Sequence, residues 1–221
     1  MSSTPADDLE LVVFDLGGTT IEDDGHVPTA FEEALGSHGV AVTRAEIARW
    51  RGASKREILR RVVGDEAAAE QVYGAFQDRL IDLFRNHGVR PIVGIEQAWS
   101  RLRDAGLRIA LTTGFDRRIT DEILASLQPA PVFDAVVCGD DVAMGRPAPY
   151  MIFRAMEQAG VPSVHRVANV GDTINDLRAG HAAGVAINIG VLSGAHDRAT
   201  LSRGPHTHLL ASATQVPEAL F

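Results

Sequence analysis

Five short apolar runs separated by helical patterns limit what this chain can fold into more than any other feature. Leu9 to Phe14 ends at Asp15. Similar runs end at Thr113 (Leu107, Ile109, Ala110, Leu111), at Cys138 (Ala135, Val136, Val137) and at Gly171 (Val167, Ala168, Val170), and a last one covers Val185 to Ile189. Their length and β-branched content mark buried strands. Between them, apolar residues recur at helical spacing over roughly 95–104, 117–127, 149–158 and 174–183. Strands alternating with helices of this length predict an α/β fold, a Rossmann-like parallel sheet covered on both faces. Ligands of such sheets bind beyond the carboxyl ends of the strands, where Asp15, Thr113 and Asp172 stand.

One stretch breaks the alternation. From Glu22 to Arg90 no strand pattern is found. Thr43 and Glu46 form a capping-box signature. Phe31, Ala34 and Leu35 make one apolar helix face, and Val72, Phe76, Leu80 and Leu83 make another. The segment reads as an all-helical insertion after the first strand, with hinges near Asp24-Gly25 and Val89-Arg90-Pro91. The expected division is a core of residues 1–21 and 91–221 and a helical domain of residues 22–90. Ser202 to Pro217 is expected to be loop.

Charge and composition exclude several activities. The 221 residues carry a net charge of -8, and 20 of the 21 basic residues are Arg; the single Lys is Lys55. A phosphate-binding P-loop needs Gly-Lys-[Ser/Thr], and here no Lys follows a Gly. A kinase-type strand Lys and a polybasic lipid patch are equally missing. The acidic balance argues against a nucleic-acid partner. No apolar run approaches the about 20 residues of a membrane span. With one cysteine, Cys138, and a polar, acidic N-terminus, a cytoplasmic protein is expected.

Four short motifs carry the chemistry. Asp15-Leu16-Gly17-Gly18-Thr19-Thr20 puts a carboxylate at a strand end before two glycines, a shape that lets backbone N–H groups approach an anion. Such an Asp can attack phosphorus and form an aspartyl-phosphate; it can equally be an ordinary turn-capping Asp. In Gly171-Asp172-Thr173-Ile174-Asn175-Asp176 two acids four apart share one face at a helix start. With Asp15 they could make the hard oxygen site that suits Mg²⁺, or they could simply cap the helix and meet its dipole. Thr112-Thr113-Gly114 offers a hydroxyl and a glycine N–H to phosphoryl oxygens. Arg146, in Gly145-Arg146-Pro147-Ala148-Pro149, offers a guanidinium. Each of the last two also suits a common loop.

In this order and at these strand ends, the four motifs resemble those of the haloacid dehalogenase superfamily over nearly the whole chain. The resemblance implies Asp15 as nucleophile, Thr113 and Gly114 with Gly17 and Gly18 around the phosphoryl group, and Arg146 as the third-motif base. It implies Mg²⁺ held by Asp15, the Gly17 backbone carbonyl, Asp172 and Asp176. The insertion corresponds to the family's type 1 cap.

One departure directs the reading of function. Most phosphatases of the superfamily carry a second Asp two residues after the nucleophile, to protonate the leaving alkoxide and then activate water. Here that position is Gly17, and acid–base help of this kind is typically worth about 10²–10⁴-fold. The chain is therefore similar to the phosphonatase branch, typified by phosphonoacetaldehyde hydrolase, which has a small residue there. Breaking a P–C bond expels a carbanion, and a Lys Schiff base supplies the electron sink. Lys55 comes three residues after Gly52 in the insertion, and the phosphonatase Lys likewise comes shortly after a Gly. Arg cannot replace it, being never a neutral amine. Arg51 and Arg56 are expected to lower the Lys55 pKa. The run Thr113-Gly114-Phe115-Asp116-Arg117, with Gly194-Ala195-His196-Asp197 and Pro205-His206-Thr207-His208, resembles the phosphonatase-like hydrolases. The resemblance also implies a small phosphonate or phosphorylated substrate and a homodimer through the cap.

Two other uses stay open. Gly52-Ala53-Ser54-Lys55 also fits a phosphatase of small metabolites in which Lys55 only binds substrate. Loss of the acid at Gly17 fits a catalytically weak binding protein. The phosphonatase proper tends to have Met where Arg51 stands and His where Ile58 stands. His206 and His208 read as a surface loop rather than a metal pair. His26 and His196 are placed near the cleft, and Cys138 is a packed core thiol.

Overall fold

Leu11–Asp15 (β1) is buried along all five residues, as a central parallel strand with helices on both faces must be. In the computed structural model, which describes residues 8–22, 24–50 and 54–221, four helices follow it. These are His26–Ser37 (α1), Arg44–Arg49 (α2), Lys55–Val63 (α3) and Glu66–His87 (α4). The chain then alternates through Ile95–Asp104 (α5), Arg108–Thr112 (β2), Arg117–Ser126 (α6), Ala135–Val137 (β3), Tyr150–Ala159 (α7), Val167–Gly171 (β4), Ile174–Ala183 (α8) and Ile187–Val191 (β5). It ends with Arg198–Leu201 (α9), His208–Leu210 (β6) and Val216–Leu220 (α10). The sheet order is β3-β2-β1-β4-β5-β6, and every pairing is parallel. This is the α/β Rossmann-like core with an inserted helical cap that the alternation predicts.

Two expectations need correction. The C-terminal stretch is not all loop, because His208–Leu210 adds a sixth strand beside β5 and Val216–Leu220 is helical. The strand is only three residues long, only partly buried, and preceded by Pro205-His206-Thr207, so no apolar run announces it. The fifth strand starts two residues later than the apolar run suggests, at Ile187.

The helical insertion is built as its patterns imply. Thr43 and Glu46 cap α2 reciprocally: the Thr43 N–H donates to Glu46 Oε2 at 2.8 Å and the Glu46 N–H to Thr43 Oγ1 at 3.2 Å. Phe31, Ala34 and Leu35 of α1 and Val72, Phe76, Leu80 and Leu83 of α4 are buried. The rings of Phe31 and Phe76 meet at 4.4 Å. Where the insertion leaves and rejoins the core, the two crossings pair. Glu22 N–H donates to Arg90 O and Ile92 N–H to Thr20 O, both at 2.9 Å, and Arg90 reaches the carboxylates of Glu22 and Asp24.

Candidate active site

Parallel strands end together, so β1, β2 and β4 deliver Asp15, Thr113 and Asp172 to one edge. Carboxylate oxygens of Asp15, Asp172 and Asp176 lie within 4.8 Å of one another, and all three residues are buried. Burial pushes the Asp15 carboxyl up to about 6, against the pull of Arg146. Burial, then the charges of Asp15 and Asp176, hold Asp172 well above the usual carboxylate range. Three buried acids at this spacing repel one another and offer only hard oxygen donors. They fit a divalent cation such as Mg²⁺.

Each acid is fixed by its own partners. Asp176 caps a helix with one oxygen and meets Arg146 with the other. Its Oδ2 accepts from Thr173 N–H at 2.9 Å, completing a capping box on α8, while Oδ1 meets Arg146. Asp172 Oδ2 accepts from Ala195 N–H at 2.6 Å. This brings the 194–195 loop so close that a Cβ on Gly194 would overlap the Asp172 carboxylate.

Arg146 carries the clearest sign of an anion-binding site. Its Nη1 lies 2.6 Å from Asp15 Oδ1 and also meets Asp176. Its Nε and Nη2 are buried with no hydrogen-bond partner among the described residues. Buried donors of a guanidinium are rarely left so, and a phosphoryl group beside Asp15 would satisfy them. Thr113 is buried next to it; its Oγ1 accepts from Phe115 N–H at 3.2 Å, leaving the hydroxyl proton to donate.

The two glycines of the loop after Asp15 serve different ends. A Cβ on Gly17 would meet nothing within 4 Å, so the position of the absent acid is open space within the cavity. Gly18 shapes the turn after Asp15. Its N–H donates to Ile21 O at 2.8 Å, its φ is +79°, and a Cβ would stand 2.5 Å from Asp172 Oδ2. Its glycine is needed for the left-handed turn and for that close approach.

Lys55 enters the same cavity from the insertion. Ser54 caps α3, accepting from Glu57 N–H at 3.4 Å, and Lys55 is the first helical residue. The positive end of the helix dipole disfavours an ammonium there. The Lys55 Nζ lies 5.3 Å from the centroid of the Phe115 ring. Its pKa is lowered to about 8, first by burial and next by the charge of Arg146. Arg56, one of the two expected neighbours, is not among the causes. Arg56 sits over the Tyr73 ring at 4.8 Å and pairs with Glu70, and Arg51, Gly52 and Ala53 lie outside the described residues.

The sequence reading missed the contacts that tie insertion to core. Asp116, next to Phe115, caps α6 through Oδ1, accepting from Ile119 N–H at 3.1 Å. Its Oδ2 accepts from Tyr73 Oη of α4 at 3.0 Å and from Gln77. An Asp before a helical pattern signals the cap, but no local signal announces partners about 40 residues away. His26 lines the cavity and packs on Phe84, as placed by the sequence. His196 Nδ1 instead accepts from Ile174 N–H at 3.0 Å and supports the start of α8. His206 Nδ1 pairs with Gly204 O, and His208 lies on β6; neither joins a metal-binding group among the described residues. Cys138 is buried, and burial pushes its thiol up to about 12. Among the described residues no helix is long and apolar enough to cross a membrane.

Known proteins resemble this chain in sequence and in fold. Residues 12–189 match the haloacid dehalogenase-like hydrolase family. Over 208 residues the chain is 30% identical to phosphonoacetaldehyde hydrolase of Bacillus cereus, covering 86% of this chain and 78% of that one. Identity to the Bacillus cytotoxicus enzyme of the same name is 31% over the same shares. The structure of a phosphonoacetaldehyde hydrolase-like protein from Oleispira antarctica superposes with a TM-score of 0.87 at 21% identity, covering 100% of this chain and 94% of that one. With the acidic cluster, the cap and these relatives together, the chain belongs to the haloacid dehalogenase-like hydrolases, in their phosphonatase-like branch.

Proposed function

We propose that this hydrolase cleaves the P–C bond of phosphonoacetaldehyde or a related 2-oxophosphonate. The observation that carries the reading is the presence of Lys55 and Asp15 in one cavity, with no acid at Gly17. The names of the relatives from Bacillus support it. Residues 22–90 are proposed to act as the cap, closing over the cleft and excluding water from the phosphoryl-transfer step.

In this mechanism neutral Lys55 adds to the substrate carbonyl and loses water to give an iminium. Asp15 attacks phosphorus, and the P–C electron pair moves into the C–C bond, turning iminium into enamine. Protonation at carbon and hydrolysis release the carbonyl product and regenerate Lys55. A second water frees phosphate from Asp15, so one water is consumed overall. The unpartnered N–H groups of Arg146 and the Thr113 hydroxyl bind the phosphoryl oxygens, with Gly114 beside them. Asp15, Asp172, Asp176 and the Gly17 carbonyl are the proposed Mg²⁺ ligands, and the bound ion would neutralise phosphoryl charge. A homodimer through the cap is proposed on the family resemblance alone.

Borohydride trapping tests the reading. Incubation with phosphonoacetaldehyde and reduction should leave one adduct, on Lys55, detectable by peptide mass. Absence of an adduct, with Lys55→Arg still releasing phosphate from the aldehyde, sinks it. A phosphatase that uses Lys55 only as a clamp would then be favoured, with phosphate esters turned over in its place.

A further inference from the structure

The cavity has a second wall that this chemistry does not use. Away from the carboxylates it is formed by Val27, Pro28 and Phe31 of α1, Ile47 of α2, Trp50, and Phe84 of α4. Phe31, Ile47 and Phe84 are almost wholly buried and belong to the same apolar core as the insertion's helices. Trp50 stands edge-on to Phe31 at 5.9 Å, and Phe76 backs Phe31 from the other side. The wall is therefore packed from behind and not free to collapse inward.

The acids near this wall are already engaged. Glu22 and Asp24 pair with Arg90. The His26 ring lies 5.7 Å from that of Phe84 and 5.4 Å from that of His87. A polyhydroxylated leaving group would lose water here and find few partners, at a cost no apolar contact repays. Atom counting makes the complementary point. With phosphorus at Asp15 and the carbonyl carbon at Lys55, the two carbons of phosphonoacetaldehyde are used up in bridging those residues. Nothing remains to meet six apolar side chains.

From the apolar wall beside Lys55 we infer that the substrate is a 2-oxophosphonate whose carbonyl carbon bears an apolar alkyl or aryl group, a ketone rather than the bare aldehyde. The inference rests on the reading of Lys55 and Asp15 above. The reaction balances as R–CO–CH₂–PO₃²⁻ plus water giving R–CO–CH₃ plus HPO₄²⁻, with no change of oxidation state requiring a co-reactant.

Two measurements on the full chain with Mg²⁺ test it. Calorimetric titration with uncleavable n-alkylphosphonates, ethyl to pentyl, should show Kd falling about three- to fourfold per methylene. Phosphate release should favour 2-oxopentylphosphonate over phosphonoacetaldehyde by about 30- to 60-fold in kcat/KM, the same increment over three methylenes. Ile47→Ser should flatten the alkyl series. A flat series in the unaltered enzyme, or preference for the aldehyde, overturns the inference and leaves the proposed function intact. A rising series with no phosphate released from any oxophosphonate overturns the proposed chemistry at Lys55, and the ketone with it.

Discussion

Lys55 is the only lysine in the chain, so its ionisation can be read as a single signal. Lysine labelled with ¹³C at Cε gives one side-chain resonance, and its titration yields the pKa without reference to any substrate. Burial and the Arg146 charge place that pKa near 8, against an ordinary 10.5. At pH 7.5 about a quarter of Lys55 is then the neutral amine, against about 0.1% for an unperturbed lysine, a gain of roughly 200-fold in nucleophile. Schiff-base trapping should rise with pH and level off above about 8. The same shift has a stability sign. The folded pKa lies below the unfolded one, so the unfolded chain binds more protons between about 8 and 10.5, and stability rises with pH through that window. Below it the ammonium costs at most about 3 kcal/mol, reduced by the part of the side chain that water reaches. Lys55→Met should therefore raise Tm at pH 7 and lose that advantage above pH 10.5, while abolishing the adduct. A single resonance titrating near 10.5 in the folded protein would refute the account of why this amine is reactive.

Three further outcomes are expected. Gly17→Asp has room for its side chain and should raise turnover of simple alkyl phosphates by about 10²-fold or more, measured as phosphate release; no gain would show that the missing acid does not limit ester cleavage. Asp116→Ala removes the α6 cap and the acceptor for Tyr73, and should lower stability by about 2–4 kcal/mol in urea titration, whereas Tyr73→Phe should cost about 1 kcal/mol; equal losses would deny Asp116 its double role. Gly194→Ala would overlap the Asp172 carboxylate and should weaken Mg²⁺ binding at least about tenfold by calorimetry, with the fold retained by circular dichroism; unchanged affinity would remove Asp172 from the metal site.

The legible parts are those with a period or a fixed order. Strand ends located Asp15, Thr113 and Asp172 because parallel strands must finish at one edge. The bounds of α5 and α8 follow from their apolar spacing and end residues. Contacts between distant segments were not legible. Nothing local to Asp116 points to Tyr73 and Gln77, and nothing near Asp172 points to the Ala195 N–H. The direction of the Lys55 shift is legible, but its main causes are not: burial and Arg146 are tertiary facts, while Arg56, adjacent in sequence, turns to Tyr73. Strand β6 escaped because three half-buried residues at a sheet edge carry no pattern.

The pairing of the two crossings also bears on how the chain folds. Leu11 of β1 pairs with Arg108 of β2, so this contact within the sheet joins residues roughly 100 positions apart. Closing such a loop from a disordered chain is entropically costly. The helices between them form through nearer contacts, α1 against α4 and α3 against α4. Once they have formed, the ends of the insertion emerge side by side at Ile21 and Pro91. What remains to be closed between β1 and β2 is then only the short segment through α5, so the insertion's own folding would shorten that loop before the two strands pair.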